Sequence, residues 1–252
     1  MLTVTPFRAA AGVLVLVWGG LALAAPPAPR FEDSLAQRVQ ACTACHGEQG
    51  RAGPDGYYPR IAGKPAGYLY NQLKHFQSGQ RRHALMAAMV DPLSDAYLWE
   101  IAQHFAAQHP PYPPALPAKA PAAQLQRGEQ LALHGDRARQ LPACAACHGP
   151  QLMGALPATP GLLGLPPDYI NAQLGAWQNG SRRAHGPDCM ADIARQLPAS
   201  DVAAVSAWLA AQPVPPRGAP VAASALQPPL RCGSLTPTHP TGATPAGTRG
   251  TP

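Results

Sequence analysis

Apolar residues recur with helical spacing in two stretches, one near the middle of the chain and one after residue 199. In the first stretch, Leu98, Ile101 and Phe105 fall on one helical face behind Ser94, a residue type that favours helix starts. The second stretch, residues 200–212, has the same kind of spacing and ends before a proline. Both stretches are predicted to be helices.

Two more helices are predicted in each half of the chain. Residues 68–77 and 169–178 form helical patterns that are each followed by a glycine, which favours helix termination. Further helices, at about 34–42 and 122–134, lead into cysteine-containing motifs. No stretch shows the polar-apolar alternation of a strand, so the pattern predicts an all-α protein.

These helices belong to a duplicated unit. Residues 41–47 recur with one substitution as residues 143–149, an offset of 102 positions. Ten identities between Pro59 and Arg82 recur 101 positions later, and a block that begins at Met86 recurs 104 positions later. Two copies of one domain, each of about 85 to 95 residues, therefore lie in tandem, and each is long enough for one hydrophobic core.

Composition indicates the segments between and around the copies. The chain has 32 Pro and 24 Gly in 252 residues, so linkers and tails occupy much of it. An apolar run follows a single cation and ends in Ala-Leu-Ala, which is typical of a secretory signal; an uncleaved anchor is the alternative. The expected segments are a signal peptide (1–24), a first domain (25–109), a Pro-rich linker (110–121), a second domain (122–212) and a disordered Pro-rich tail (213–252).

Two cysteines three positions apart, followed directly by a histidine, occur once in each copy. They are Cys42, Cys45 and His46 in the first copy and Cys144, Cys147 and His148 in the second. This is the attachment sequence of a c-type haem, because two thiols at this spacing reach both vinyl groups of one porphyrin and the histidine binds its iron. The sequence therefore predicts two covalently attached c-type haems.

A thioredoxin-like redox pair and half of a zinc site are the alternative interpretations of these cysteines. A redox pair occurs in a βαβ context, which the helical pattern does not provide, and it needs no histidine. A zinc site needs four ligands, and free thiols of an exported protein tend to oxidise. Haem also explains how small domains with only 6% aromatic residues obtain a large apolar core.

The ligand on the other face of each iron separates electron transfer from small-molecule chemistry. Alignment of the copies pairs Met86 with Met190, each seven residues before a leucine at the start of the last helix. Met89 aligns with an isoleucine and is assigned to the core, and Met153 is too close to His148 to reach the opposite face. Met86 and Met190 are therefore the predicted ligands.

Ligation of each iron by a second histidine is the alternative. The first copy offers three histidines and the second copy two: His75, His83, His104, His134 and His185. None of them aligns with another of these histidines, whereas the two methionines do align. Met ligation is therefore favoured.

With these motifs, each copy resembles a class I cytochrome c, and the tandem resembles the dihaem cytochrome c4 family of the bacterial periplasm. The resemblance rests on residues 41–47, 59–63, 68–79 and 86–105 with their second-copy partners. It implies an all-α fold of two tandem class I cytochrome c domains, each with about three main helices around a covalent haem.

The same resemblance implies an exported electron carrier, soluble or membrane-associated and not an enzyme, that passes electrons from a bc1-type complex to a terminal oxidase. It also implies that the carbonyl groups of Pro59 and Pro160 accept the Nδ1 protons of His46 and His148. The first copy lacks the glycine that the family places in the helix before the haem motif; Gly128 provides it in the second copy.

Two other functions remain open at the sequence level. The protein is alternatively the cytochrome subunit of a dehydrogenase complex, or a haem peroxidase-type enzyme, which requires an open iron position. Nucleic acid is not an expected partner, because half of the net charge of +6 lies in the tail and neither copy carries a basic excess above +1.

A few residues with chemical potential lie outside these motifs. Cys189 and Cys232 either form a disulfide, remain as thiols, or leave Cys189 to replace its neighbour Met190 as ligand. Arg81–Arg82 and Arg182–Arg183 either pair with haem propionates or lie in solvated turns.

Overall fold

The computed structural model describes residues 33–53 and 56–236, which are mostly helical. The expected signal peptide and residues 237–252 lie outside the described residues. Within the described part, no helix combines the length and the hydropathy needed to cross a membrane.

Among its described residues, the first domain has five α-helices and a short 3-10 helix (Glu48–Gly50). The α-helices are α1 (Leu35–Arg38), α2 (Gln40–His46), α3 (Ala66–Gln77), α4 (Ala84–Val90) and α5 (Asp95–Ala106). The hydroxyl groups of Ser34 and Ser94 cap α1 and α5 by accepting hydrogen bonds from the N–H groups of Gln37 and Tyr97, each at 3.3 Å. Helix α3 packs along α5, and Pro59, in the loop before α3, contacts the ring of His46 at the end of α2.

The second domain repeats this arrangement. Its elements are α6 (Ala122–Leu133), α7 (Ala145–His148), the antiparallel strands β1 (Gly154–Ala155) and β2 (Thr159–Pro160), α8 (Pro167–Gln178), α9 (Cys189–Arg195) and α10 (Ala199–Ala211). Helix α8 packs on α9 and α10, as α3 packs on α4 and α5 in the first domain. The all-α prediction is confirmed except for the two strands, which are two residues long each.

Each domain has its own apolar core, and the two domains lie in one compact unit. In the first core, Leu98 and Phe105 of α5 are fully buried. In the second, Leu131 of α6 and Leu209 of α10 are fully buried. The helical spacing of apolar residues in the last helix of each domain therefore identified its buried face.

Three local features differ from the sequence-based expectations. The helix expected at residues 34–42 is divided at Val39 into α1 and α2. Helices α4 and α9, which carry Met86 and Met190, were not predicted, because seven residues are too few to show helical periodicity. Met89 is 43% exposed and does not belong to the packed core, because it lines a cavity together with Leu85, one helical turn away on α4.

Residues 213–236, which follow α10, are ordered, although the composition predicted a disordered tail. Its Val221 lies beside β1 and exchanges backbone hydrogen bonds with Gly154 and Leu156. Farther along, a disulfide joins Cys232 to Cys189 at the start of α9. These backbone and covalent bonds fix residues 213–236 along the second domain, which composition alone does not indicate.

The crossing of α6 and α10 depends on a glycine. A Cβ atom at Gly128 would overlap the carbonyl oxygen of Ala204 and lie 2.7 Å from the Cβ of Trp208. The absence of a side chain therefore allows the two helix backbones to approach closely. This is the glycine to which the family resemblance pointed in the sequence.

We expect Gly128→Ala to lower the free energy of unfolding by about 2 kcal/mol, because the added methyl group must push α6 away from the α10 backbone. Urea unfolding of the haem-loaded protein measures this effect. Gly175→Ala is the control, since a Cβ at Gly175 in α8 meets nothing within 4 Å and should gain up to about 1 kcal/mol of helix propensity. Equal behaviour of the two variants would contradict this account of the crossing.

Candidate haem sites and the interface between them

One cavity of about 920 Å³ extends through both domains and is lined mainly by apolar side chains. All ten of the predicted site residues line it: Cys42, Cys45, His46, Pro59, Met86, Cys144, Cys147, His148, Pro160 and Met190. The fold thus brings residues that are distant in sequence around one continuous space. Apolar walls with a few convergent polar groups are suited to a large planar cofactor.

The histidine of each motif is held in place by a backbone carbonyl group. Nδ1 of His46 lies 2.9 Å from the carbonyl oxygen of Pro59, and Nδ1 of His148 lies 2.7 Å from that of Pro160. Both contacts are those that the resemblance implies. With Nδ1 donating to the carbonyl group, Nε2 is the nitrogen that remains for a metal ion.

Burial keeps both of these imidazoles in the neutral form that binds metals. His46 and His148 are buried, and desolvation lowers the pKa of each. The hydrogen bonds to Pro59 and Pro160 oppose this shift, but burial is the larger cause. Each histidine is therefore an oriented, unprotonated donor at the wall of the cavity.

The four motif cysteines are of intermediate exposure, and none of them is in a disulfide. Burial raises the pKa of Cys42 and Cys147, and it raises that of Cys144 to about 11. Burial thus favours the protonated form of these three thiols. Thioether formation with a porphyrin consumes such thiols, so the residues present fit a covalently bound haem.

The two candidate methionine ligands lie at equivalent places at the start of short helices. Met86 is the third residue of α4 and packs against the core of the first domain. Met190 is the second residue of α9 and packs against the core of the second domain. The disulfide at Cys189 removes the alternative in which that cysteine replaces Met190.

Four of the five histidines considered as alternative iron ligands do not line the cavity. Only His83 lines the cavity, and its Nδ1 accepts the N–H of Met86 at 3.3 Å as the cap of α4. The ring of His75 packs against that of His185 with centroids 4.7 Å apart, away from the cavity lining. In the second domain Asp188 has this role, since its carboxylate accepts the N–H of Ala191 at 3.1 Å at the start of α9.

Sequence reasoning missed a polar network that joins the two domains. Gln72 and Arg81 of the first domain meet their counterparts, Gln173 and Arg182. Each guanidinium group donates to both glutamine oxygens, over 2.7 to 2.9 Å. The signal that could have found it is the recurrence of these polar residues in both copies, since a contact between equivalent positions needs the same residue twice.

The outer parts of this network extend its symmetry. Arg81 reaches the hydroxyl of Tyr169 at 3.1 Å, and Arg182 reaches that of Tyr68 at 3.4 Å. An isolated antiparallel bridge joins Arg81 to Arg182 between the domains. Arg182 is 5% exposed, so the alternative of a solvated turn does not apply to it.

The fold and the two motifs define a c-type cytochrome with two class I domains, and comparison with known proteins agrees. A sequence profile described as "Cytochrome C oxidase, cbb3-type, subunit III" matches residues 33–105. A thiosulfate dehydrogenase electron acceptor of Thiomonas intermedia is 40% identical over 190 residues, which are 75% of this chain and 86% of that protein. Cytochrome c4 of Azotobacter vinelandii is 32% identical over 209 residues, 78% of this chain and 94% of that protein.

Solved structures show the same relationship. Reduced cytochrome c4 from Pseudomonas stutzeri superposes with a TM-score of 0.61 at 32% identity, over 69% of this chain and 94% of that one. A thiosulfate dehydrogenase from Marichromatium purpuratum superposes with a TM-score of 0.62 at 32% identity, over 68% of this chain and only 36% of that one. The chain belongs to the cytochrome c4 family. It is a dihaem electron carrier with two covalently attached c-type haems, and the predicted fold of tandem class I domains is confirmed.

The buried histidine pair gives a prediction for pH dependence. His75 is 1% exposed, and burial, with the neighbouring His185 and arginines, lowers its pKa to about 3. In the unfolded chain the pKa is about 6.5, so unfolding takes up a proton between these values. The stabilising effect of the neutral ring is therefore complete above pH about 6.5 and is lost as the pH falls toward 3.

We expect the free energy of unfolding to fall by up to about 1.4 kcal/mol per pH unit in this window because of His75. His75→Gln should flatten the dependence, whereas His134→Gln, at an exposed position, should leave it unchanged. Urea unfolding of the ferric protein at several pH values measures the slopes. An unaltered slope in His75→Gln would show that another group is responsible.

Proposed function

We propose that each domain binds one haem with the residues that line the shared cavity. The thioether positions are Cys42 and Cys45 for the first haem and Cys144 and Cys147 for the second; the iron ligands are His46 with Met86 and His148 with Met190. The observation that carries this proposal is that all ten predicted residues line one cavity. In addition, the Nδ1 atoms of His46 and His148 are hydrogen-bonded to the carbonyl oxygens of Pro59 and Pro160.

Each haem supplies a site that gains or loses one electron between its ferrous and ferric states. The protein contributes orientation, exclusion of water and closure of the iron. Pro59 and Pro160 orient the imidazoles, and the buried positions of His46 and His148 keep bulk water away. A thioether from Met86 or Met190 closes the remaining iron position and favours the ferrous state. A site closed in this way supports electron transfer without substrate turnover, so we propose a carrier and not an enzyme.

We further propose that the carrier is exported to the periplasm by residues 1–24 and that the expected domain boundaries hold. The arrangement of this leader and the likeness to cytochrome c4 support export. Its electrons pass toward respiratory complexes, such as a terminal oxidase, from a bc1-type complex or a dehydrogenase.

A specific observation favours a dehydrogenase as the electron donor. The thiosulfate dehydrogenase electron acceptor of Thiomonas intermedia is 40% identical to this chain, against 32% for cytochrome c4 of Azotobacter vinelandii. One part of the Marichromatium purpuratum thiosulfate dehydrogenase also has the fold of this chain. We therefore propose that a thiosulfate-oxidising dehydrogenase reduces this cytochrome.

Methionine substitutions test the ligand assignment. We expect the reduced parent protein to bind no carbon monoxide promptly, and Met86→Ala and Met190→Ala each to bind one equivalent, because each opens one iron. Absorption spectra before and after gas addition measure the binding, and the weak red band of Met-bound ferric iron should lose half its intensity in each variant. Met89→Ala is the matched control on the same helix. Carbon monoxide binding by that control alone would move the first ligand to Met89.

The donor is tested by mixing the ferric protein with a purified thiosulfate dehydrogenase and thiosulfate in a stopped-flow spectrometer. We expect rapid appearance of the ferrous spectrum, and no comparable rate when either the enzyme or thiosulfate is omitted. Rapid reduction by a bc1-type complex together with none by the dehydrogenase would refute this donor and favour the respiratory alternative.

A further inference from the structure

Lys64 is a buried cation of the first domain that reaches into the second. It lies in the loop before α3, is 5% exposed, and lines the shared cavity. Its Nζ donates a hydrogen bond to the carbonyl oxygen of Gly161 at 2.7 Å. The side chain is therefore fixed across the domain interface.

The acceptor of this hydrogen bond is next to the partner of the second motif histidine. Gly161 follows Pro160, whose carbonyl oxygen lies 2.7 Å from Nδ1 of His148. The ammonium group of Lys64 is therefore hydrogen-bonded to the peptide group that adjoins the carbonyl holding His148. The ammonium group is thus close enough to act electrostatically on this imidazole.

No acidic side chain neutralises this charge among the residues that the structure describes. The hydrogen bond to Gly161 is the one polar contact of the Lys64 ammonium group within that part of the chain. The nearest cation, Arg60, donates instead to the carbonyl oxygens of Pro110 and Pro111 and stacks 3.8 Å from the ring centroid of Tyr112. A charge in such a buried place acts more strongly than one in water, because little solvent screens it.

The two copies differ at this position. The residue equivalent to Lys64 in the second domain is Leu165, which packs against the core of its own domain. At this position the second domain therefore has no charged side chain that could reach the first domain. Lys64 breaks the symmetry of an interface whose glutamine and arginine residues preserve it.

We propose that Lys64 acts on the second haem as a positioning residue that raises its reduction potential. Ferric iron carries one more positive charge than ferrous iron, so a nearby ammonium group destabilises the ferric state of the iron bound to His148. The first haem does not receive this effect. The inference rests on the proposed ligation by His148.

The test compares Lys64→Met and Lys64→Gln, which remove the charge, with Lys64→Arg, which keeps it. Lys64→Gln also keeps a hydrogen-bond donor, so it separates charge from contact. Lys119→Met, at an exposed linker position, removes the same charge elsewhere and serves as the control. Because burial and the charge of Arg60 lower the pKa of Lys64 to about 7, the titrations are done near pH 6, where the ammonium form predominates.

Spectroelectrochemical titration of the dihaem protein gives the two potentials, and NMR signals of the haem methyl groups assign each potential to its haem. We expect both neutral variants to shift the distribution of one electron between the two haems about tenfold toward the first haem. This shift corresponds to a fall of about 59 mV in the reduction potential of the second haem. Lys64→Arg and Lys119→Met should retain the parent potentials.

Three results would overturn the inference. They are an unchanged second potential in both neutral variants, an equal fall at both haems, and a fall in Lys64→Arg as large as in Lys64→Met. Failure of the ligand proposal is detected separately. In that case the unmodified protein would already lack the spectrum of a second haem bound by His and Met. Before the potentials are compared, the red band of each ferric variant is measured to confirm that Met190 is still bound to the iron.

Discussion

Covalent attachment of a haem at each Cys-x-x-Cys-His motif is the constraint on which the rest of the structure depends. Only 6% of the residues are aromatic, and the helices of both domains are arranged around a shared cavity of about 920 Å³. A porphyrin bonded to α2 or α7 supplies the apolar body against which these helices pack. The two thioether bonds fix where it lies, and a single carbonyl group, that of Pro59 or Pro160, then fixes the imidazole.

The duplicated sequence also explains the interface. When two copies of one domain meet through equivalent surfaces, each residue near the local two-fold axis contacts its own counterpart. Glutamine and arginine are suited to such a place, since the amide oxygen of Gln72 or Gln173 can accept from both guanidinium groups at once. The burial of two cations is then offset by hydrogen bonds and by stacking of Arg182 on the ring of Trp177, 3.8 Å from its centroid.

Sequence patterns predicted what depends on local spacing and missed what depends on distant contacts. The helices that end each domain followed from periodicity, and the motif residues from their spacing. Helix α4 is too short for that signal, and Met89 was placed in the core although it lines the cavity, because contacts distant in sequence decide which face of α4 borders that space. Order in residues 213–236 arises from the Cys189–Cys232 disulfide and the pairing with β1, and composition encodes neither.

Function depends on the places where the copies no longer match. Two equivalent haems in equivalent domains would share an electron equally, and nothing in the protein would favour movement in one direction. The second domain differs by its disulfide-bonded tail, by Leu165 in place of Lys64, and by Asp188 in place of His83 as the cap of the methionine-bearing helix. The symmetric network of glutamine and arginine joins the domains, and these few differences give the two motif histidines different surroundings. A gene duplication therefore supplies the two-site carrier, and we expect divergence at single positions such as Lys64 to make the potentials of the two haems differ.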